Sequence, residues 1–134
     1  MTELVEGEVE LTDAAEDIYR QVHPNFLDPE SGITSQVFEL NSQDEGKFSV
    51  SRSTLVTGAE ATADYLEAGN ASCGAVILTV ADANDEGGPV IDDSNARQVP
   101  KGHAYIDFRE SGLSKGKSRR LKKAATARGW AFRV

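Results

Sequence analysis

The segment CGAVILTV, residues 73–80, is a continuous run of apolar and small side chains in a chain that is polar on either side of it. The run has the length of a strand, and its branched residues favour extended backbone. A strand that faces solvent on one side alternates polar and apolar residues, and this segment does not alternate. We therefore predict a central strand that is covered on both faces.

A helix is predicted shortly before this strand. The segment TGAE, residues 57–60, fits a capping box, in which the Thr hydroxyl accepts from the third amide and the Glu carboxylate accepts from the cap amide. We predict that the helix continues to Ala68 and that residues 69–70, Gly-Asn, end it. The predicted buried residues are Ala61, Tyr65 and Ala68.

Shorter patterns complete the predicted fold. Strands are predicted at 18–22, 35–40, 47–53, 103–108 and 130–134, with a polar hairpin loop at 41–46. A further helix is predicted from Ser114 or Ser118 to Arg128, because Gly129 stands where a C-terminal cap belongs. The sequence therefore predicts an α+β fold: a single small domain with a mixed or mainly antiparallel sheet of about five or six strands and two or three helices.

Charge is distributed unevenly along the 134 residues, whose formal net charge is −8. Residues 1–100 contain twenty of the twenty-two acids, and residues 101–134 contain ten of the fourteen Lys and Arg residues, so the two parts carry −16 and +8. We interpret residues 1–12 as a flexible acidic arm and residues 13–134 as one globular α+β domain. The cationic part indicates an electrostatic partner, either external or the acidic part of the chain itself.

The composition argues against several classes of protein. The negative net charge argues against a protein that coats nucleic acid without sequence specificity. Cys73 is the only cysteine, so neither an internal disulfide nor a cysteine-based zinc site can form. No apolar run approaches the roughly 18–20 residues of a membrane span, and the acidic N-terminus is unlike a secretory signal. We expect a soluble cytoplasmic protein that has no membrane contact, metal or cofactor.

Basic residues concentrate in the predicted C-terminal helix. The predicted anion-binding residues are Lys115, Lys117, Ser118, Arg119, Arg120, Lys122 and Lys123. Like charges four residues apart destabilise a helix, and cations in its first turn oppose the helix dipole. Three interpretations follow: the helix is solvated, the acidic part of the chain neutralises it, or it binds an external anion.

The loop before this helix resembles a phosphate-binding loop. Its sequence GLSKGKS, residues 112–118, approaches the pattern G-x-x-x-x-G-K-[ST], but Ser111 stands where the first glycine is required. Only sixteen residues follow it, too few for the remainder of a nucleotide triphosphatase. The loop therefore predicts at most a weaker phosphate contact at a helix N-terminus.

A second group of residues indicates catalysis. His23 and His103 can act as an acid–base pair near neutral pH, and Arg20 and Arg52 supply the positive charge that phosphodiester chemistry needs. Arg20 on a first strand and the serine-rich strand 49–53 further on resemble the layout of ADP-ribosyltransferase-like domains. That resemblance implies a nucleotide substrate, although no acidic residue can be assigned to the family's catalytic position. The alternative is that both histidines are structural or lie on the surface.

Three functional hypotheses result. The first is a small binding or interaction protein whose basic helix contacts an anionic partner, either a nucleic acid or an acidic protein surface. The second is a small enzyme that acts on a nucleotide or nucleic acid, which requires its four candidate residues to converge in one cleft: Arg20, His23, Arg52 and His103. The third is an acidic inhibitor of antitoxin or immunity type, in which the arm and the segment 82–93 bind a basic partner.

Overall fold

The fold is organised around a sheet of short strands. A computed structural model describes residues 3–29 and 32–134. The strands in this part are β1 (Val9–Glu10), β2 (Asp17–Gln21), β3 (Leu27–Asp28), β4 (Gly32–Ile33), β5 (Lys47–Arg52), β6 (Gly74–Thr79), β7 (Val90–Asp92), β8 (His103–Asp107) and β9 (Trp130–Arg133). Seven of them form one antiparallel sheet in the order β1-β7-β8-β5-β2-β6-β9, while β3 and β4 form a separate ribbon.

Helices pack on both faces of the seven-stranded sheet. They are α1 (Gly58–Glu67), α2 (Val80–Asp85) and α3 (Lys115–Arg128), and short 3₁₀ turns lie at Pro24–Phe26, Ser35–Phe38 and Ser42–Asp44. One face of the sheet carries the main hydrophobic core, which α3 and the turn at 35–38 close with Leu121, Ala125 and Phe38. The other face is partly covered by α1, which contacts β6 and β9. The chain is thus a single small α+β domain.

Residues 74–79 of the apolar run form β6, which is covered on both faces, as predicted, because α3 lies on one side and α1 on the other, and Val80 begins α2 instead. Strand β6 is second from the sheet edge rather than central, since β9 pairs outside it.

Helix α1 approaches β9 very closely at Gly58, the first residue of the helix. A Cβ atom on Gly58 would lie 2.8 Å from the Cβ of Ala131, so only glycine allows this contact.

The predicted start of α1 is confirmed by a complete capping box. Thr57 Oγ1 accepts from the amide of Glu60 at 3.1 Å, and the amide of Thr57 donates to Glu60 Oε1 at 2.9 Å. Ala61 is buried as predicted, together with Thr62. The predicted burial of Tyr65 and Ala68 is wrong, because both residues are exposed.

The predicted strand at 35–40 is wrong, and so is the hairpin loop at 41–46. Residues 35–38 form a 3₁₀ turn that buries two consecutive side chains, Val37 and Phe38, beneath α3. Ser118 Oγ donates to the carbonyl of Phe38 at 2.7 Å and holds the turn against the helix. Residues 42–44 form a second turn, and β5 pairs with β2 and β8 instead.

The N-terminal segment contributes to the sheet. Val9 and Glu10 pair with β7, and Leu11 is buried in the core. Glu8 Oε2 accepts from the hydroxyl of Tyr105 at 2.6 Å. Within the predicted arm 1–12, residues 8–11 therefore contact the domain, and Met1 and Thr2 lie outside the described residues.

Candidate functional site

The two central strands β2 and β5 separate part-way along their length. They pair only at Ile18 with Arg52 and Tyr19 with Ser51, whereas β2 continues along β6 and β5 continues along β8. The opening between them is a cleft of about 410 Å³, which we call the fork cleft. Its wall includes Tyr19, Arg20, His23, Ser49, Ser51 and Tyr65.

Arg20 bridges the gap at the fork. Its Nε donates to the carbonyl of Val37 at 3.1 Å and its Nη1 donates to the carbonyl of Ser49 at 3.0 Å. The guanidinium carbon lies 3.8 Å from the ring centroid of Phe48. Burial lowers the pKa of Arg20 to about 10, and the nearby side chains of Tyr65 and Asp44 oppose that shift only in part. The group is cationic at neutral pH, and among the described residues it has no carboxylate partner within 4 Å.

His23 lies at the rim of the same cleft, just after β2. Its Nδ1 accepts from the amide of Asn25 at 3.0 Å, so the proton of the neutral ring is on Nε2. The ring packs against Phe26 with 5.5 Å between centroids, and the residue is exposed. The structure therefore brings together two of the four predicted catalytic residues, Arg20 and His23.

Arg52 is held in an internal ion pair away from the cleft. Its Nε and Nη2 donate to both oxygens of Glu16, at 2.7 and 2.9 Å, and its Nη1 donates to Asp92 Oδ2 at 2.7 Å. Glu16 precedes β2 and Asp92 ends β7, so the guanidinium ties together separate parts of the core-facing side of the sheet.

His103 lies at the same end of the sheet as Arg52. It is opposite Ser51 on β5, whereas His23 follows the other end of β2. Its Nδ1 lies 2.7 Å from Asp93 Oδ1, and Arg97 Nε donates to the second oxygen of the same carboxylate at 2.7 Å. The expected convergence of Arg20, His23, Arg52 and His103 in one cleft is therefore not observed.

Several residues of the predicted anion-binding set make internal contacts. Arg120 Nε donates to Glu86 Oε1 at 2.7 Å, and Arg128, which lies outside the set at the end of α3, donates to Asp82 at 2.6 and 3.1 Å. Lys117 Nζ donates to two carbonyls of the preceding loop, at 3.2 and 2.9 Å, so this lysine binds its own loop. Ser118 is buried against the turn at 35–38.

The other four cations of the set have no acidic partner among the described residues. We call them the basic face: Lys115, Arg119, Lys122 and Lys123. Lys122 is half-buried and the other three are exposed. The interpretation that the chain neutralises its own basic helix is thus correct for Arg120 and does not extend to the basic face.

The acids of the segment 82–93, which motivated the inhibitor hypothesis, are largely occupied within the chain. Asp82 binds Arg128, Glu86 binds Arg120, and Asp92 and Asp93 bind Arg52 and Arg97.

In residues 3–29 and 32–134, no group of three or more His, Cys, Asp or Glu side chains is placed to hold a metal ion. None of the helices described is both long and apolar enough to cross a bilayer.

Comparisons with protein families, curated proteins and solved structures found no match for this chain. Two surfaces of the described residues are candidate binding sites, the basic face of α3 and the fork cleft.

The ion pairs predict how stability depends on pH. Burial alone would raise the pKa of Asp82, Asp92, Asp93 and Asp107, but hydrogen bonds and positive charge from neighbouring Arg and His side chains hold each pKa below its usual range. A lowered pKa stabilises the fold above the unfolded-state value of roughly 3.9, and this stability is lost as pH falls through the folded-state value. We expect the free energy of unfolding, measured with urea, to fall steeply below about pH 4.

Asp93→Asn should weaken this acid dependence, because the carboxyl of Asp93 is fully buried between His103 and Arg97. Asp85→Asn, at an exposed position on α2, is the matched control and should behave like the parent protein. A free energy of unfolding that rises between pH 5 and pH 3 would contradict the prediction.

Proposed function

We propose that this chain is a small binding protein that contacts an anionic partner through the basic face of α3. The observation that supports the proposal is a contrast within one helix. Arg128 has a carboxylate partner on α2 and Arg120 has one at the residue after it, whereas Lys115, Arg119 and Lys123, spaced one helical turn apart, have none among the described residues. The chain is acidic overall, and yet none of the acids that the structure describes pairs with these three cations.

The basic face lowers the stability of the helix that carries it. The pairs Lys115/Arg119 and Arg119/Lys123 are like charges at i and i+4, which cost a few tenths of a kcal/mol each. The charge of Lys115 in the first turn also opposes the helix dipole, at a cost of about 0.3–1 kcal/mol. A bound polyanion removes both penalties, which is the physical reason to expect one.

A nucleic acid is the partner that the charge pattern favours. The basic face carries no acid over nine consecutive residues, so it presents an uninterrupted positive row to a row of phosphates. An acidic protein surface is the alternative, and the same experiment separates the two.

The test compares two double variants that each remove two positive charges from α3. We expect Arg119→Ser/Lys123→Ser to weaken binding of a fluorescent single-stranded oligonucleotide by about tenfold or more and to reduce the slope of log K against log salt by about 1.4. Arg120→Ser/Arg128→Ser, which removes cations already paired with acids, should change affinity much less. Fluorescence anisotropy between 50 and 200 mM salt, roughly the range over which phosphate contacts weaken strongly, measures both quantities.

Two results decide the proposal, and a third measurement is the folding control. If the protein binds polyglutamate and not the oligonucleotide, and Arg119→Ser/Lys123→Ser loses that binding, the partner is an acidic protein surface. Equal affinities of the two double variants at every salt concentration would show that the basic face is not the contact surface. Circular dichroism confirms that both variants remain folded, as expected for substitutions at exposed positions.

A further inference from the structure

We infer that the fork cleft is a second binding site, which takes a small planar ligand carrying a single oxyanion group, a carboxylate or a phosphate, on the guanidinium of Arg20. This site is separate from the basic face of α3 and does not depend on the proposed function. Three observations support this inference: the cleft between β2 and β5, an arginine in its wall that has no carboxylate partner among residues 3–29 and 32–134, and the side chains around that arginine.

Arg20 differs from most other arginines of the described structure in the groups that it contacts. Five arginines each bind a carboxylate within 3 Å: Arg52, Arg97, Arg109, Arg120 and Arg128. Arg20 is half-buried and instead contacts two carbonyls and the face of Phe48. Carbonyl dipoles and an aromatic ring stabilise a cation less than a carboxylate does, so the charge is only partly compensated.

The contacts of Arg20 also fix its orientation. Nε and Nη1 are used by the carbonyls of Val37 and Ser49, and Phe48 supports one face of the guanidinium. Nη2 makes no hydrogen bond to the described part of the chain. A bound oxyanion gains a charge-assisted hydrogen bond from a donor that is already immobilised, so little side-chain entropy is lost on binding.

The surrounding wall favours one anionic group attached to a planar ring. The aromatic side chains of Phe26 and Tyr65 line the cleft, and His23 presents its Nε2 edge at the rim. Asp44 and Glu39 are also in the wall, and their charges disfavour a polyanion. The volume of about 410 Å³ is within the range of roughly 300–1,000 Å³ that small-molecule sites occupy. A nucleic acid at the basic face and a small anion in the cleft are therefore different ligands.

The experiment uses three probes of similar shape: benzoate, phenyl phosphate and benzamide, the neutral analogue of benzoate. We expect benzoate or phenyl phosphate to shift the Nε–H resonance of Arg20 and the amides of β2 and β5 saturably in two-dimensional NMR spectra, and benzamide to leave them unchanged. Whichever anion binds more tightly identifies the oxyanion as carboxylate or phosphate. Arg119→Ser/Lys123→Ser should retain the response, and Arg20→Gln should weaken it at least tenfold.

The opposite results overturn the inference. Shifts confined to α3 would assign the anions to the basic face, and equal responses to benzoate and benzamide would exclude recognition by charge. If neither benzoate nor phenyl phosphate causes a saturable shift at millimolar concentration, Arg20 has only a structural role between β2 and β5. If Arg20→Gln does not fold, the map of shifts in the parent protein still decides between these outcomes. Arg20→Lys, which keeps the charge, then takes the place of Arg20→Gln.

Discussion

Replacement of Arg52 by methionine is expected to lower the free energy of unfolding by about 3–5 kcal/mol, because it leaves two buried carboxylates without their common partner. The side chains of Glu16 and Asp92 are only 4% and 10% exposed, and both contact the one guanidinium. Removing one member of a buried ion pair costs more than the pair itself contributes, since the remaining charge stays desolvated. Urea denaturation at pH 7 measures the loss.

The loss in Arg52→Met should depend on pH in a direction that identifies its cause. The lowered pKa of Asp92, where burial is outweighed by hydrogen bonds from Ser94 and Arg52, should rise in the variant. Protonation then relieves the repulsion between the two carboxyls, so the difference from the parent protein should shrink as pH falls from 7 towards 4. A deficit that stays constant over this range would point to lost packing instead.

Two further variants separate the effect of charge from that of packing. Arg97→Met, at the separate ion pair with buried Asp93, removes an arginine whose side chain is 50% exposed and leaves His103 against the carboxylate, so we expect a loss below about 1 kcal/mol. The triple variant Arg52→Met, Glu16→Gln and Asp92→Asn removes all the charges together and should recover most of the stability that Arg52→Met loses.

Local chemistry predicts the helices of this protein better than its sheet. The capping box at Thr57 and the glycine at 129 are signals within a few residues of the helix ends, and both ends lie where those signals indicate. Strand β1 has two residues and β7 has three, too few for an alternating pattern to show. The turn at 35–38 has strand-like composition, but a hydrogen bond from Ser118, eighty residues away, holds it in place.

The fork cleft has no comparable signal in the sequence. Its existence depends on where the pairing of β2 and β5 stops, which is a property of register and of the packing beneath the two strands. Arg20 and His23 were identified by residue type, and they do share the cleft. Arg52 and His103 have the same residue types, and yet they bind buried carboxylates at the other end of the sheet. Residue type alone does not distinguish the two pairs.

Phe48→Ala is expected to lower the free energy of unfolding by about 3–5 kcal/mol, a large part of the 5–15 kcal/mol typical of a domain. Phe48 is fully buried at the centre of an aromatic group, with its ring centroid 6.1 Å from that of Phe38 and 6.4 Å from that of Phe108. Its removal leaves a cavity and breaks both ring pairs. Phe132→Ala, on the half-buried β9, is the matched control and should cost less than half as much.

Phe48→Leu separates the two roles of this ring. Leucine retains most of the buried apolar surface, so we expect a loss of only about 1–1.5 kcal/mol. It removes the aromatic face beneath the guanidinium of Arg20, which lies 3.8 Å from the ring centroid. Without this support Arg20 is less well positioned at the fork. The free energy of anion binding in the cleft should therefore weaken by more than the free energy of unfolding falls. If Phe48→Leu lowers stability by 3 kcal/mol or more and leaves benzoate binding unchanged, the ring serves the core alone.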